Sequence, residues 1–345
     1  MKNCPHLVLA FLLVISAFSL VCVDKGTQEE ITLWPEIEPF QTGHLKVSDI
    51  HEIYYELCGN PKGKPAFVLH GGPGSGSSPF MRRFCNPDKF LIVLHDQRGC
   101  GKSKPYAELR ENTTQNLVED IERLRQHLEL EQIIILGGSW GATLALAYAE
   151  TYPENVAGMV LRGVFCCTQE EIDHYYHGGV RKFFPQTYDR LLETLPDPNR
   201  RPLPDYFVEL LQNSDSTERM KYSTAWAKYE VKIASLQVDE AWLDSVFGPG
   251  GWGEESFAMA LLENYYIANG CFLEEGQLFR DIDRIADIPV TIVNGRYHMI
   301  CPPVTAYRLH QRLPKSKLVI AEGAGHWMGE DAVQEALLEA MREFE

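Results

Sequence analysis

The run Ile133-Ile134-Ile135-Leu136-Gly137-Gly138-Ser139-Trp140-Gly141-Ala142-Thr143-Leu144-Ala145-Leu146 constrains this chain more than any other stretch. A β-branched apolar segment of strand type breaks into glycines around a serine, then resumes as Ala/Leu-rich sequence of helical type. The serine therefore falls on the turn between a strand and a helix, within a G-x-S-x-G pattern. A serine held on so sharp a turn with its hydroxyl exposed needs small residues two positions to either side. Gly137 and Gly141 stand there, and the pattern predicts Ser139 as a nucleophile rather than a plain glycine turn.

Around this element strands and helices alternate. Ala66-Phe67-Val68-Leu69 and Leu91-Ile92-Val93-Leu94 are short apolar runs that end in glycine-rich loops, as buried parallel strands do. Leu117, Ile121, Leu124 and Leu128 recur every three to four residues and predict an amphipathic helix over 116–128. From about Cys166 to Arg280 the sequence turns aromatic, acidic and helical, with no clear buried strand. Strand pattern returns at Ile288–Val293 and Lys317–Ile320, and a helix over 332–344 closes the chain. The expected fold is α/β: a mostly parallel sheet covered by helices, residues 34–165 and 281–345, interrupted by a helical cap, residues 166–280.

The N-terminus reads as a targeting segment. A basic start at Met1-Lys2, an apolar stretch from Leu7 to Val23 and a polar exit predict a secretory signal peptide over 1–23, and hence a secreted or periplasmic protein. A lipidated Cys22 or an uncleaved membrane anchor are the alternatives. Seven cysteines follow that segment, an odd number at irregular spacing, so no disulfide framework is indicated; none forms a CxxC pair, and no metal or organic cofactor is expected. The net charge of -16 over 345 residues argues against nucleic acid or an anionic membrane surface as partner and suits a cationic ligand group. Asn112-Thr113-Thr114 is formally a glycosylation sequon.

A serine nucleophile needs a base, an orienting acid and donors for the oxyanion. His326 lies in a glycine-rich loop after the last expected strand, where an α/β-hydrolase fold carries its base, the triad running serine, acid, histidine along the chain. His70-Gly71-Gly72-Pro73-Gly74 follows the strand at 66–69. Backbone can approach a carbonyl closely only where side chains are absent, so the oxyanion donors are assigned to the N–H groups of Gly72 and Trp140. Gly101-Lys102-Ser103 imitates a phosphate loop, but Asp96 stands where such a loop needs its first glycine. That segment is read as a structural turn braced by Asp96 and Arg98.

Taken together, His70-Gly71-Gly72-Pro73-Gly74, Asp96-Gln97-Arg98-Gly99-Cys100-Gly101, Gly137-Gly138-Ser139-Trp140-Gly141 and Gly295-Arg296-Tyr297 with Cys301-Pro302 resemble prolyl iminopeptidases from about Trp34 to the C-terminus. These are serine aminopeptidases of the α/β-hydrolase fold that remove N-terminal proline. The resemblance implies peptides with N-terminal proline as substrates. It also implies a cap whose glutamates, Glu230 and Glu263 here, hold the substrate's amino terminus, and whose aromatic residues, Phe165 and Tyr175 here, cradle the proline ring. Buried carboxylates awaiting an ammonium would reject internal peptide bonds, which have no charge to offer.

One position departs from that pattern. The family sequence Gly-Arg-Tyr-Asp supplies the triad acid, and this chain reads Gly295-Arg296-Tyr297-His298. A neutral His298 can at best accept one hydrogen bond from the catalytic imidazole, and a protonated one repels it, so impaired turnover is expected. Glu322, Glu330 and Asp331 are the nearby carboxylates that could substitute. Two alternatives keep the site and change its use: a catalytically silent protein that binds peptide N-termini, or an esterase, whose leaving group departs more easily than an amine.

Overall fold

The computed structural model describes residues 32–247 and 255–345. The proposed signal segment, 1–23, lies outside the described residues. Among these, no helix is long and apolar enough to cross a membrane.

Eight strands form one sheet: β1 (Gln41–Lys46), β2 (Glu52–Gly59), β3 (Lys64–Leu69), β4 (Phe90–His95), β5 (Ile133–Gly138), β6 (Val156–Arg162), β7 (Val290–Gly295) and β8 (Ser316–Ala321). Their spatial order is β1-β2-β4-β3-β5-β6-β7-β8, antiparallel across β1, β2 and β4 and parallel from β4 to β8. Burial explains the sequence pattern. β4 and β7 are buried at every residue and read as continuous apolar runs, whereas the edge strands β1 and β8 alternate toward solvent.

The helices follow in chain order. On the first half lie α1 (Pro79–Arg82), α2 (Thr114–His127) and α3 (Trp140–Thr151). Between β6 and β7 come α4 (Gln169–Tyr176), α5 (Pro185–Glu193), α6 (Leu203–Asn213), α7 (Ser216–Ala234), α8 (Glu240–Val246), α9 (Glu255–Ala268) and α10 (Gln277–Arg280). The chain closes with α11 (Pro303–Arg312) and α12 (Asp331–Arg342). The amphipathic spacing after Asn116 does form a helix, begun two residues earlier because Thr113 caps it by accepting from Asn116 N–H. α3 is buried on nearly every face, which suits its Ala/Leu composition.

The inserted helices build an apolar centre of their own, in which Trp226 stacks on Tyr176 and meets Phe207 edge-on, 4.8 Å between ring centres. Toward its end the insertion rejoins the main core. Tyr266 of α9 lies 4.8 Å from the Trp140 ring, and its hydroxyl donates to Asn112 Oδ1 at 2.7 Å. That contact removes Asn112 from consideration as a glycosylation acceptor in the folded chain, since it is buried and its amide donates to the Arg98 and Glu108 carbonyls.

The segment after β4 is structural. Asp96 accepts from Ser77 N–H at 2.7 Å, Ser77 Oγ at 2.6 Å and Lys102 N–H at 2.7 Å, while Arg98 forks onto buried Asp120 at 2.6 and 2.7 Å. Gly101, at φ +55°, packs so closely over the Asp96 carboxylate that a Cβ has no room there. All seven cysteines after the N-terminal segment are buried free thiols.

Candidate active site

β5 delivers Ser139 at φ 56°, ψ -125°, a backbone conformation that costs a non-glycine residue about 1–3 kcal/mol and persists because its surroundings hold it. Ser139 N–H donates to Arg162 O at 2.8 Å, tying the turn to β6. The flanking glycines have the reason the sequence suggested. A Cβ on Gly137 would collide with Gly141 O, and one on Gly141 with Leu69 O, so the turn closes only without side chains.

The N–H groups of Gly72 and Trp140, one in the loop after β3 and one at the first position of α3, meet no carbonyl or side-chain acceptor among the described residues. Gly72 and Ser139 line the same pocket, so the Gly72 donor is available to a carbonyl oxygen there, and Trp140 N–H follows Ser139 directly in the chain. That pocket is small and mostly apolar, and Phe165, Tyr175, Tyr176 and Glu263 also line it. It opens beside a larger cavity of about 380 Å3 bordered by Ser139, His326, Arg162, Glu230 and Glu263. Of the residues singled out from sequence, Ser139, Gly72, His326, Phe165, Tyr175, Glu230 and Glu263 border one or other of these two spaces, and Trp140 and His298 border neither.

Glu230 comes from α7 and Glu263 from α9; Glu263 is buried, Glu230 half-buried, and the two carboxyls are in contact. Trp226 Nε1 donates to Glu263 Oε2 at 2.8 Å, whereas Glu230 Oε1 is buried with no partner. Burial pushes Glu230 up to about 7, and burial together with the Glu230 charge pushes Glu263 well above the usual carboxylate range. An empty site therefore holds protons that the unfolded chain, with glutamates near 4.3, would have released. Folded carboxyls with raised values favour the neutral form, so the stability they contribute falls as pH rises from about 4.3 through 7. A bound ammonium reverses that preference by giving the pair a counter-charge. For a substrate with a free amino terminus, KM is expected to fall as pH rises through about 7 and to climb again as the amine loses its proton near 8. KM for an N-acylated ester should stay flat over the same range, which a pH series on both substrates checks.

His326 follows β8 in the turn Gly323–His326, and its own N–H donates to Ala234 O at the end of α7 at 2.9 Å. Its Nδ1 lies 2.8 Å from His298 Nε2, the two rings nearly perpendicular. His298 therefore occupies the position of the triad acid in space as well as in sequence. None of the carboxylates considered as substitutes reaches His326. Glu322 pairs with Arg296 at 2.6 Å, Glu330 accepts from Gly325 and Leu236 N–H, and no hydrogen bond from Asp331 to His326 exists among the described residues.

The protons on this pair can be placed by counting donors. Burial first, and the Arg162 charge second, hold both imidazoles well below their ordinary range, so both are neutral. Cys301 N–H, a fixed donor, points at His298 Nδ1 from 2.8 Å. Taken alone, that donor makes His298 Nδ1 an acceptor and puts its proton on Nε2, from which it donates a hydrogen bond to His326 Nδ1. His326 is then left with its own proton on Nε2. That is the nitrogen that would have to take the proton of Ser139, and no hydrogen bond joins His326 to Ser139 Oγ here. Instead Nε2 faces Arg162 Nη1 at 3.1 Å, a second fixed donor.

Arg162 was not recognised from sequence. It ends β6 fully buried, donates to His326 O at 2.8 Å, and leaves Nε without a partner. Burial lowers its guanidinium to about 10. The available signal was a cation at the end of an apolar strand with no acid near it in sequence. Between Cys301 N–H and Arg162 the histidine pair is short of one acceptor, which an aspartate at 298 would supply. His298, Cys301 and His326 also offer three ligand atoms within 4.8 Å of one another. A metal ion bound there would force N–H groups onto His298 Nδ1 and His326 Nε2, against both fixed donors and beside a buried cation. The constellation does not fit a metal.

The sequence profile of the α/β-hydrolase fold matches residues 65–333. A proline iminopeptidase from Xylella fastidiosa is 46% identical over 296 residues, 86% of this chain and 93% of that protein. The chain belongs to the proline iminopeptidase family. A second relative, the proline iminopeptidase of Arabidopsis thaliana, is 42% identical over 90% of this chain and 81% of its own length. Among solved structures, an esterase from Exiguobacterium antarcticum shares the fold at TM-score 0.58 and 20% identity, covering 85% of this chain and 95% of that one.

Proposed function

We propose that this chain is a serine aminopeptidase that releases N-terminal proline from peptides, working through an acyl-enzyme and slowed by His298. The carrying observation is the convergence of Ser139, the free N–H groups of Gly72 and Trp140, and the Glu230–Glu263 pair around one cavity. Ser139 attacks the carbonyl of the first residue, and the two N–H groups take the developing oxyanion. His326 removes the serine proton and returns it to the leaving amine. Glu230 and Glu263 hold the substrate ammonium, while Phe165 and Tyr175 border the ring pocket. Export through the N-terminal segment, with the mature chain acting on peptides outside the cytoplasm, is part of the same proposal.

The donor count favours a second reading for the same site. Because no tautomer of His326 satisfies both the Cys301 and the Arg162 donors, protonation of an amine leaving group suffers most and an aryl ester suffers least. Hydrolysis of a proline aryl amide, an alanine aryl amide and an N-acylproline aryl ester by the purified chain separates the two. Turnover of the proline amide above the alanine amide supports the aminopeptidase; turnover of the ester alone overturns it.

A further inference from the structure

Trp327, the residue after His326, is about half exposed yet held in place, stacked on Phe80 with 6.4 Å between ring centres and folded over Gly329. It borders two spaces, the catalytic cavity and a separate groove of about 1070 Å3 between the end of α7 and start of α8 on one side and the β8–α12 loop on the other. The groove's lining includes the exposed indole of Trp242 and the carboxylates of Asp239, Glu322, Glu330 and Asp331, with no lysine or arginine. Three of those acids have local work: Asp239 caps α8, Glu322 pairs with Arg296, and Glu330 holds two backbone N–H groups. Asp331, in the first turn of α12, makes no hydrogen bond or ion pair among the described residues.

The chemistry of the reaction gives this groove a direction. The substrate's amino terminus is fixed by Glu230 and Glu263, and its carbonyl oxygen by Gly72 and Trp140. The leaving nitrogen must lie beside His326, which protonates it, so the rest of the peptide leaves the cavity on the side where Trp327 stands. We infer that the groove binds the part of the peptide that follows the scissile bond, and that it selects for lysine or arginine there. This rests on the aminopeptidase reading above. Asp239, Glu330 and Asp331 pair with no lysine or arginine among the described residues and attract a cationic side chain, and two exposed indoles offer its aliphatic stem or guanidinium a flat surface.

The test uses the full chain and three ligands: a proline aryl amide, which has nothing to place in the groove, and blocked peptides Pro-Ala-Arg-Ala and Pro-Ala-Glu-Ala. Calorimetry on Ser139→Ala reads peptide affinity without cleavage, and turnover of the aryl amide by the parent reads the catalytic site. The arginine peptide is expected to bind about tenfold more tightly than the glutamate peptide at low salt, the gap narrowing as ionic strength rises. Adding Asp331→Lys should cut that gap about fivefold, while the same change in the parent leaves aryl amide turnover unchanged. Equal binding of the two peptides, or a gap that Asp331→Lys does not alter, overturns the groove and leaves the aminopeptidase standing if the aryl amide is cleaved. An aryl amide that neither the parent nor a His298→Asp variant cleaves overturns the aminopeptidase reading, and the groove proposal falls with it.

Discussion

Replacing His298 by aspartate is expected to raise kcat for a proline aryl amide by about 10^3–10^4-fold, the size of the loss when a serine protease triad exchanges its aspartate for a neutral amide. An aspartate at 298 can accept from Cys301 N–H and from His326 Nδ1–H together, where His298 accepts only the first. His326 would then carry its proton on Nδ1 and present a lone pair on Nε2 toward Ser139. In the present chain that arrangement requires a proton on His298 Nδ1 against Cys301 N–H at 2.8 Å, which forfeits a buried hydrogen bond worth about 1–3 kcal/mol. The carboxylate also gives Arg162, buried and without an acid partner, an opposite charge, and stabilises the imidazolium formed during attack. Ser139→Ala in the His298→Asp background should return the rate to background. A His298→Asp protein that folds, binds substrate and turns over no faster would show that the histidine pair is not what limits this chain.

The second large effect belongs to the carboxylate pair. Converting Glu230 and Glu263 together to glutamine should lower kcat/KM on a proline aryl amide by about 10^2–10^3-fold, since truncating a buried charge partner costs about 2–5 kcal/mol. Glutamine at 263 keeps an oxygen for Trp226 Nε1, so the packing of Trp226 is spared. The same protein should hydrolyse an N-acylproline aryl ester about as well as its parent, because that substrate has no ammonium to lose. Its stability should also decline less steeply as pH rises through about 7, since two of the groups that release protons there are gone while buried Glu150, pushed up to about 8, remains. Equal loss on amide and ester would mean that the glutamates support the fold of the site rather than recognise an amine.

Much of this molecule could be read from local sequence because its key parts are local. The strand, turn and helix around Ser139 follow from an apolar run, two glycines and an Ala/Leu segment, and the close approaches at Gly137 and Gly141 show why substitution there is barred. Central strands are continuous apolar runs because both faces of the sheet are covered. The helical insertion shows as a loss of strand pattern. Its inner boundary is less visible, because α9 serves both centres, with Leu261 among the cap aromatics and Tyr266 against Trp140. The phosphate-loop imitation around Gly101 and the sequon at Asn112 fall away for one reason: the side chains of Asp96, Ser103 and Asn112 are committed to holding neighbouring loops.

The sequence by itself pointed to Ser139, His326, Gly72 and the exchange at position 298, since each lies within a few residues of the strand end that displays it. Only the tertiary structure decided what that exchange does. The direction of a hydrogen bond between two imidazoles depends on what stands at their far nitrogens, here Cys301 N–H on one side and Arg162 on the other. Those two donors come from different strand ends, and no spacing in the chain reveals that they meet. The same holds for Glu230 and Glu263. Each helix alone presents an ordinary acidic residue, and bringing the two together in one cavity turns them into carboxyls that hold their protons where an exposed glutamate would release them.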